Sequence, residues 1–112
     1  MNGELQIAII GAGHGGKAMA ADLAIRGYSV RLYNRTYEHI HTIATRGGIE
    51  LVFESGRQAF GAIDIVTSDI AQAIDGAHLI MAVIPASGHR EIASLCAPHL
   101  ADGQIVVLNP GR

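Results

Sequence analysis

At 112 residues, 49% of them hydrophobic and 16% charged, the chain has room for one domain with a substantial core. Eight basic and ten acidic residues leave a formal net charge of −2, which gives no electrostatic footprint for a nucleic acid or an anionic membrane surface. The lone cysteine, Cys96, excludes an internal disulfide framework and fits a reducing, cytoplasmic setting; no signal-peptide pattern opens the chain, and no apolar run nears the ~20 residues that span a bilayer.

The residues at 5–10 are short, apolar and β-branched, which predicts a buried strand. It runs into Gly11, Ala12, Gly13, His14, Gly15 and Gly16, after which 17–26 reads as a helix with Ala18, Ala21 and Ile25 on one face and Gly27 as its stop. A second strand is expected at 28–33. Thr36 is expected to cap a helix reaching Arg46 and burying Ile40, Ile43 and Ala44. Ile49, Leu51 and Phe53 alternate as a third strand, with a turn at 54–57, a return strand at 58–60 and a short strand at 63–66. Ser68 is expected to cap a helix carrying Ile70, Ala73 and Ile74 and closed by Gly76. A buried strand follows at 78–84, ended by Pro85. The segment 87–97 reads as a helix with Ile92, Leu95 and Cys96 inward, stopped by Pro98, and 104–108 as the last strand.

Strands thus alternate with helices, which predicts a single-domain α/β fold over residues 1–112: Rossmann-type, doubly wound, with a mainly parallel sheet and right-handed crossovers. Apolar strands buried on both faces account for part of the mean hydropathy of +0.29. An exposed apolar seam, where a second domain docks or a homo-oligomer forms, is expected to account for the rest. In such a sheet the ligand lies at the carboxyl ends of the strands, where their order reverses. The loops at 11–16, 34–36, 84–87 and 109–111 should meet there.

Gly11, Gly13 and Gly16 form a G-x-G-x-x-G pattern that follows a strand and opens a helix, the context in which it signals a dinucleotide rather than mere glycine abundance. Gly11 allows the tight turn, Gly13 the approach of a pyrophosphate and Gly16 close helix packing. The amides of Ala12, His14 and Gly15 belong to the same cradle, set at the positive end of the helix dipole. The plainer alternative is glycine needed only for strand-to-helix packing. His14 either donates to phosphate or faces solvent; Lys17 reads as a solvated helix residue. At the end of the second strand, where NAD enzymes carry an acid, this chain has Asn34, Arg35 and Thr36. Arg35 attracts a 2′-phosphate and Asn34 and Thr36 add neutral hydrogen bonds, which predicts NADP over NAD as cofactor. The alternative is an Arg35 that stacks on adenine and discriminates little. Ile84, Pro85 and Ala86, with Asn109 and Pro110, are placed at the nicotinamide end.

Ile7 to Gly16, then Pro85-Ala86-Ser87-Gly88-His89, Ala97-Pro98-His99-Leu100, Asp102-Gly103-Gln104 and Leu108-Asn109-Pro110-Gly111-Arg112, resemble the opine dehydrogenases, the octopine and nopaline dehydrogenase-like family. The resemblance covers essentially the whole chain. It implies a cofactor domain for the reductive condensation of an amino acid with a 2-oxo acid, in which NAD(P)H reduces an imine. It also implies a second, helical domain supplying the substrate site and a catalytic histidine–aspartate pair. No residue here matches that pair, so none is assigned as catalytic, and the chain by itself is expected to bind cofactor without turnover. Two departures stand out: His14 replaces the family's usual asparagine, and the chain stops at Arg112 where the family continues, as expected of a fragment. Ketopantoate reductase-like and glycerol-3-phosphate dehydrogenase-like enzymes share this first half, and a stand-alone dinucleotide sensor is a third reading. His89 either faces the cleft or the helix surface, His39, His41 and His99 read as solvated, no metal spacing is present, and Cys96 reads as a core thiol.

Overall fold

Runs of aliphatic and β-branched residues, apolar on both faces, make a parallel sheet the centre of the fold. The computed structural model describes residues 5–110. In chain order the elements are β1 (Gln6–Ile10), α1 (His14–Ile25), β2 (Ser29–Tyr33), α2 (His41–Arg46), β3 (Gly48–Val52), β4 (Gln58–Ala62), β5 (Ile65–Thr67), α3 (Ile70–Ile74), β6 (Leu79–Ile84), α4 (His89–Cys96) and β7 (Ile105–Pro110). Five strands pair in the order β5-β2-β1-β6-β7, every neighbouring pair parallel. The order reverses between β1 and β6, so the crevice of this Rossmann-like α/β fold opens at their carboxyl ends.

Side chains of β1 alternate between two cores. Ile7 and Ile9 join Ala20, Val30, Leu32, Ile40 and Ile43 on the α1 side, while Ala8 and Ile10 join Tyr33, Ala73, Ile74, Ile80 and Cys96 on the α3 and α4 side. Strands β3 and β4 form a separate antiparallel hairpin in the register Glu50↔Phe60. The hairpin lies on α1, where a Cβ on Gly61 would come within 2.6 Å of the Ala21 carbonyl oxygen. That close approach covers Ala21, while Ala20 is buried in the sheet-side core.

Four local expectations are corrected. Helix α1 begins at His14, three residues before the expected start, because Gly13 already holds the extended N-cap conformation. Its buried face is therefore Gly16, Ala20 and Ala21, and Ala18 is exposed. Thr36 does not cap a long helix: a 3-10 turn (Tyr37–His39) intervenes, α2 starts only at His41, and Thr36 offers its carbonyl to the His39 amide. At α3 the cap is Asp69, whose Oδ1 accepts from the Ala71 amide at 3.0 Å; the buried Ser68 hydroxyl has no partner among the described residues. Leu95 does not turn inward. Ile92 and Cys96, one helical turn apart, take the sheet-facing positions instead.

Among the described residues, much of the edge strand β7 is exposed. Ile105, Val106 and Leu108 are 60%, 42% and 44% exposed, and Leu95 and Leu100 add to the same apolar exposure. No described helix is long and apolar enough to cross a membrane.

Candidate functional site

Three glycines shape the turn between β1 and α1, and they do so differently. Gly11 has φ +112°, and a Cβ there would lie 2.6 Å from both Ile84 Cγ2 and the Val83 carbonyl oxygen. Conformation and space both demand glycine. A Cβ on Gly16, buried in the first turn of α1, would overlap the Gly11 carbonyl. Gly13 has ordinary backbone angles, φ −75° and ψ −171°, and a Cβ on it would meet nothing described within 4 Å. Gly13 takes the N-cap position of α1, and the space over it is open among the described residues.

Helix α1 starts with no side-chain cap and no acid in its first turn. The leading amides of a helix have no intrahelical acceptor, and the dipole makes that end positive. The Ala12 amide is engaged: it donates to Asn34 Oδ1 at 3.1 Å. Asn34 Nδ2 in turn donates to the Thr36 carbonyl at 3.0 Å, and the Asn34 amide to the Thr67 carbonyl at 3.2 Å. Both ends of the Asn34 side chain are therefore committed within the protein. Asn34 ties the glycine turn to the turn after β2 and also lines the cleft.

These elements enclose a cleft of about 370 Å³ lined by Gly11, Ala12, Gly13, His14, Gly15, Asn34, Val83, Ile84 and Pro85. Gly16 lies beneath its floor. An adjoining recess of about 360 Å³ is shared by Ala12, Gly13, His14, Lys17 and His39, so two residues read from sequence as solvated flank the turn from the α1 side. Thr36 and Ala86 are exposed and line neither cavity. Asn109 and Pro110 extend β7 opposite Val83 and Ile84, one strand farther from the glycine turn. The Asn109 carbonyl faces His89 Nε2 at 3.2 Å, which ties the half-buried His89 to the sheet edge. Gly111 and Arg112 lie outside the described residues.

Arg35 stands exposed beside the cleft and pairs with Glu91 of α4, its Nη1 3.2 Å from Oε1 and 3.1 Å from Oε2. Tyr33 packs beneath. Burial pushes its phenol above the usual value; the Cys96 thiol adds to the rise, the Arg35 guanidinium opposes it, and Glu91 and Asp69 add further. Burial likewise raises the Cys96 thiol, the opposite of what a nucleophile needs. Among the described residues no group of three or more His, Cys, Asp or Glu side chains is placed to hold a metal ion. Sequence reasoning missed two residues here. Val83 was placed by its segment at the nicotinamide end but was not singled out as a lining residue, though its place next to the carboxyl end of β6 was a usable signal. Glu91 carried none, being 56 positions from its partner.

The donors suit a diphosphate: outward-facing helix amides, no first-turn carboxylate, and free space above Gly13. Residues 6–109 match the family model described as NAD-dependent glycerol-3-phosphate dehydrogenase N-terminus. The chain is 38% identical to an opine dehydrogenase of Arthrobacter sp. (strain 1C), over 93% of this chain and 29% of that protein. It is 36% identical to a glycerol-3-phosphate dehydrogenase (NAD(P)+) of Moorella thermoacetica, over 90% of this chain and 30% of that protein. Among solved structures, octopine dehydrogenase with NADH and L-arginine superposes with a TM-score of 0.76 at 23% identity, over 93% of this chain and 28% of that one, a likeness of fold. The chain spans less than a third of the length of these relatives.

Proposed function

The chain belongs to the NAD-dependent glycerol-3-phosphate dehydrogenase N-terminus family, and from that premise we propose that it holds the cofactor, NADP in preference to NAD, for an opine-type dehydrogenase. As an NAD(P)-binding N-terminal domain it is of a kind shared by opine, glycerol-3-phosphate and ketopantoate reductase-like enzymes. The bound nicotinamide supplies a hydride. The chain's own residues bind and orient. Amides at the start of α1 hold the diphosphate over Gly13, with the helix dipole adding attraction. Ile84 and Pro85 close the nicotinamide end with apolar surface and keep water from it. Arg35 meets a 2′-phosphate at the adenosine end.

The observation that supports this reading most is the contrast among the glycines: Gly11 and Gly16 pack against backbone, while Gly13, at the N-cap of α1, leaves open space in which a diphosphate would lie. Support for the opine reaction comes from the segments around Pro85-Ala86 and Asn109-Pro110 and from the Arthrobacter relative. The family model favours a second reading, glycerol-3-phosphate as substrate of the whole protein. Under either, a following domain brings the substrate and the catalytic groups and packs on the bare face of β7. The single cysteine fits work in a reducing cytoplasm.

The test is to titrate NADP+ and NAD+ into the wild type and into Arg35→Ala. Tighter NADP+ binding, by about tenfold and lost on substitution, is expected of one charge-assisted contact. Equal affinities unmoved by Arg35→Ala would remove the NADP preference. The whole protein, supplied with pyruvate and an amino acid or with glycerol 3-phosphate, separates the two substrate readings.

A further inference from the structure

Strand β2 ends without the acid that a Rossmann sheet uses to hold an adenosine ribose, yet the fold delivers a carboxylate to the same place from another element. Arg35 follows β2 and Glu91 lies on α4 after β6, and these two strands flank β1 on either side. The ion pair between them, at 3.1 and 3.2 Å, therefore joins the loop after β2 to α4, next to Asn34 of the cleft. We propose that Glu91 is a specificity-determining residue: it occupies the Arg35 guanidinium in competition with the 2′-phosphate and so moderates the preference for the phosphorylated cofactor. This rests on the dinucleotide reading above.

The physical argument is one of competition for a single cation. A 2′-phosphate must displace the Glu91 carboxylate from Arg35, and the displaced carboxylate remains close enough to repel it. NAD, which carries no phosphate at that position, meets neither cost. The side chains of Arg35 and Glu91 are 75% and 54% exposed, so water screens the pair and a weak attraction is expected of it. Glu91 thus adjusts the balance between two cofactors and does not close the site to either. Lys17 and His39 lie at the recess on the α1 side, whereas Glu91 lies on α4.

Calorimetric titration of the chain with NADP+ and with NAD+ tests this in four proteins: wild type, Glu91→Gln, Arg35→Ala and the double variant. A thermal melt confirms that each is folded, and Glu91→Asp, which keeps the charge, serves as the conservative control. Glu91→Gln should tighten NADP+ by roughly three- to fivefold and leave NAD+ within about twofold, the scale set by one exposed ion pair. Glu91→Asp should stay near the wild type, and the gain should shrink once Arg35 is alanine. If Arg35→Ala weakens NADP+ but Glu91→Gln leaves the NADP+/NAD+ ratio unchanged or lowers it, the cofactor reading stands and Glu91 is a surface ion pair only. If Arg35→Ala also changes nothing, the NADP preference falls and this inference with it; if neither nucleotide binds, the dinucleotide reading falls as well.

Discussion

The two ends of the cleft are built from different materials. At the glycine turn, backbone packs on backbone: Gly11 against Val83 and Ile84, and Gly16 against Gly11. At the adenosine end, exposed side chains meet across the mouth, Arg35 with Glu91, over the buried Tyr33. The first region has no freedom to vary without disturbing the sheet. The second can change its ligand preference while the fold stays put. On the proposed function, rigid backbone would hold the invariant diphosphate, and adjustable side chains would meet the part of the cofactor that differs between NAD and NADP.

That contrast is sharpest in substitutions that separate stability from binding. Gly16→Ala drives a methyl into the Gly11 carbonyl and should cost about 3 kcal/mol of stability in a denaturant titration, the upper range for overpacking. A loss too small to measure would mean that α1 shifts freely on the sheet. Gly13→Val should cost at most about 1 kcal/mol in the same titration, the scale of a poorer N-cap residue, because a Cβ there enters open space. Nucleotide affinity should nevertheless fall roughly 10- to 100-fold as contacts to the diphosphate are lost. Unimpaired binding by this variant would break the comparison at its stronger end.

Asn34 joins the two regions, so its removal should register in both. Asn34→Ala strands the Ala12 amide and the Thr36 carbonyl and should cost about 1–2 kcal/mol. Both nucleotides should weaken together. Asn34→Asp restores the acceptor for Ala12 but not the donor to Thr36, and an intermediate value is expected. A change confined to NADP+ would instead make Asn34 a phosphate ligand.

The smallest effect concerns pH. Burial raises the Cys96 thiol above its ordinary 9.0, so the folded state keeps a proton that the unfolded chain gives up first. The stability this contributes is fully present below pH 9 and lost as pH rises through the folded value. Tyr33, raised above 10.0, acts in the same direction at higher pH. Denaturation midpoints measured from neutral to alkaline pH should decline less steeply in Cys96→Val, which has no thiol to ionise. An identical slope in both proteins would remove the thiol's part.

What the sequence revealed follows the same division. The glycine turn was legible because a β-branched run, three spaced glycines and a helix are all local, and each glycine's task follows from backbone sterics. The sheet order was legible because alternating strands and helices leave few topologies. The tasks of Asn34 and Glu91 were not, since each depends on a partner 22 or 56 positions away that only the folded sheet brings near. Ser68 and Asp69 are both cap-forming types, and local pattern cannot choose between neighbours. Leu95 obeyed helical periodicity, but periodicity does not say whether a layer exists to bury it, and β7 alongside is itself bare.

The account turns on a diphosphate lying over Gly13 at the head of α1. An amide-resolved NMR titration of the chain with NADP+ reads that contact directly. The largest shifts should fall on the amides of Gly13, His14, Gly15 and Gly16, with a second set near Arg35 and none in the β3–β4 hairpin. Saturating nucleotide that leaves those four amides unmoved, or moves only residues away from the carboxyl edge of the sheet, would contradict it.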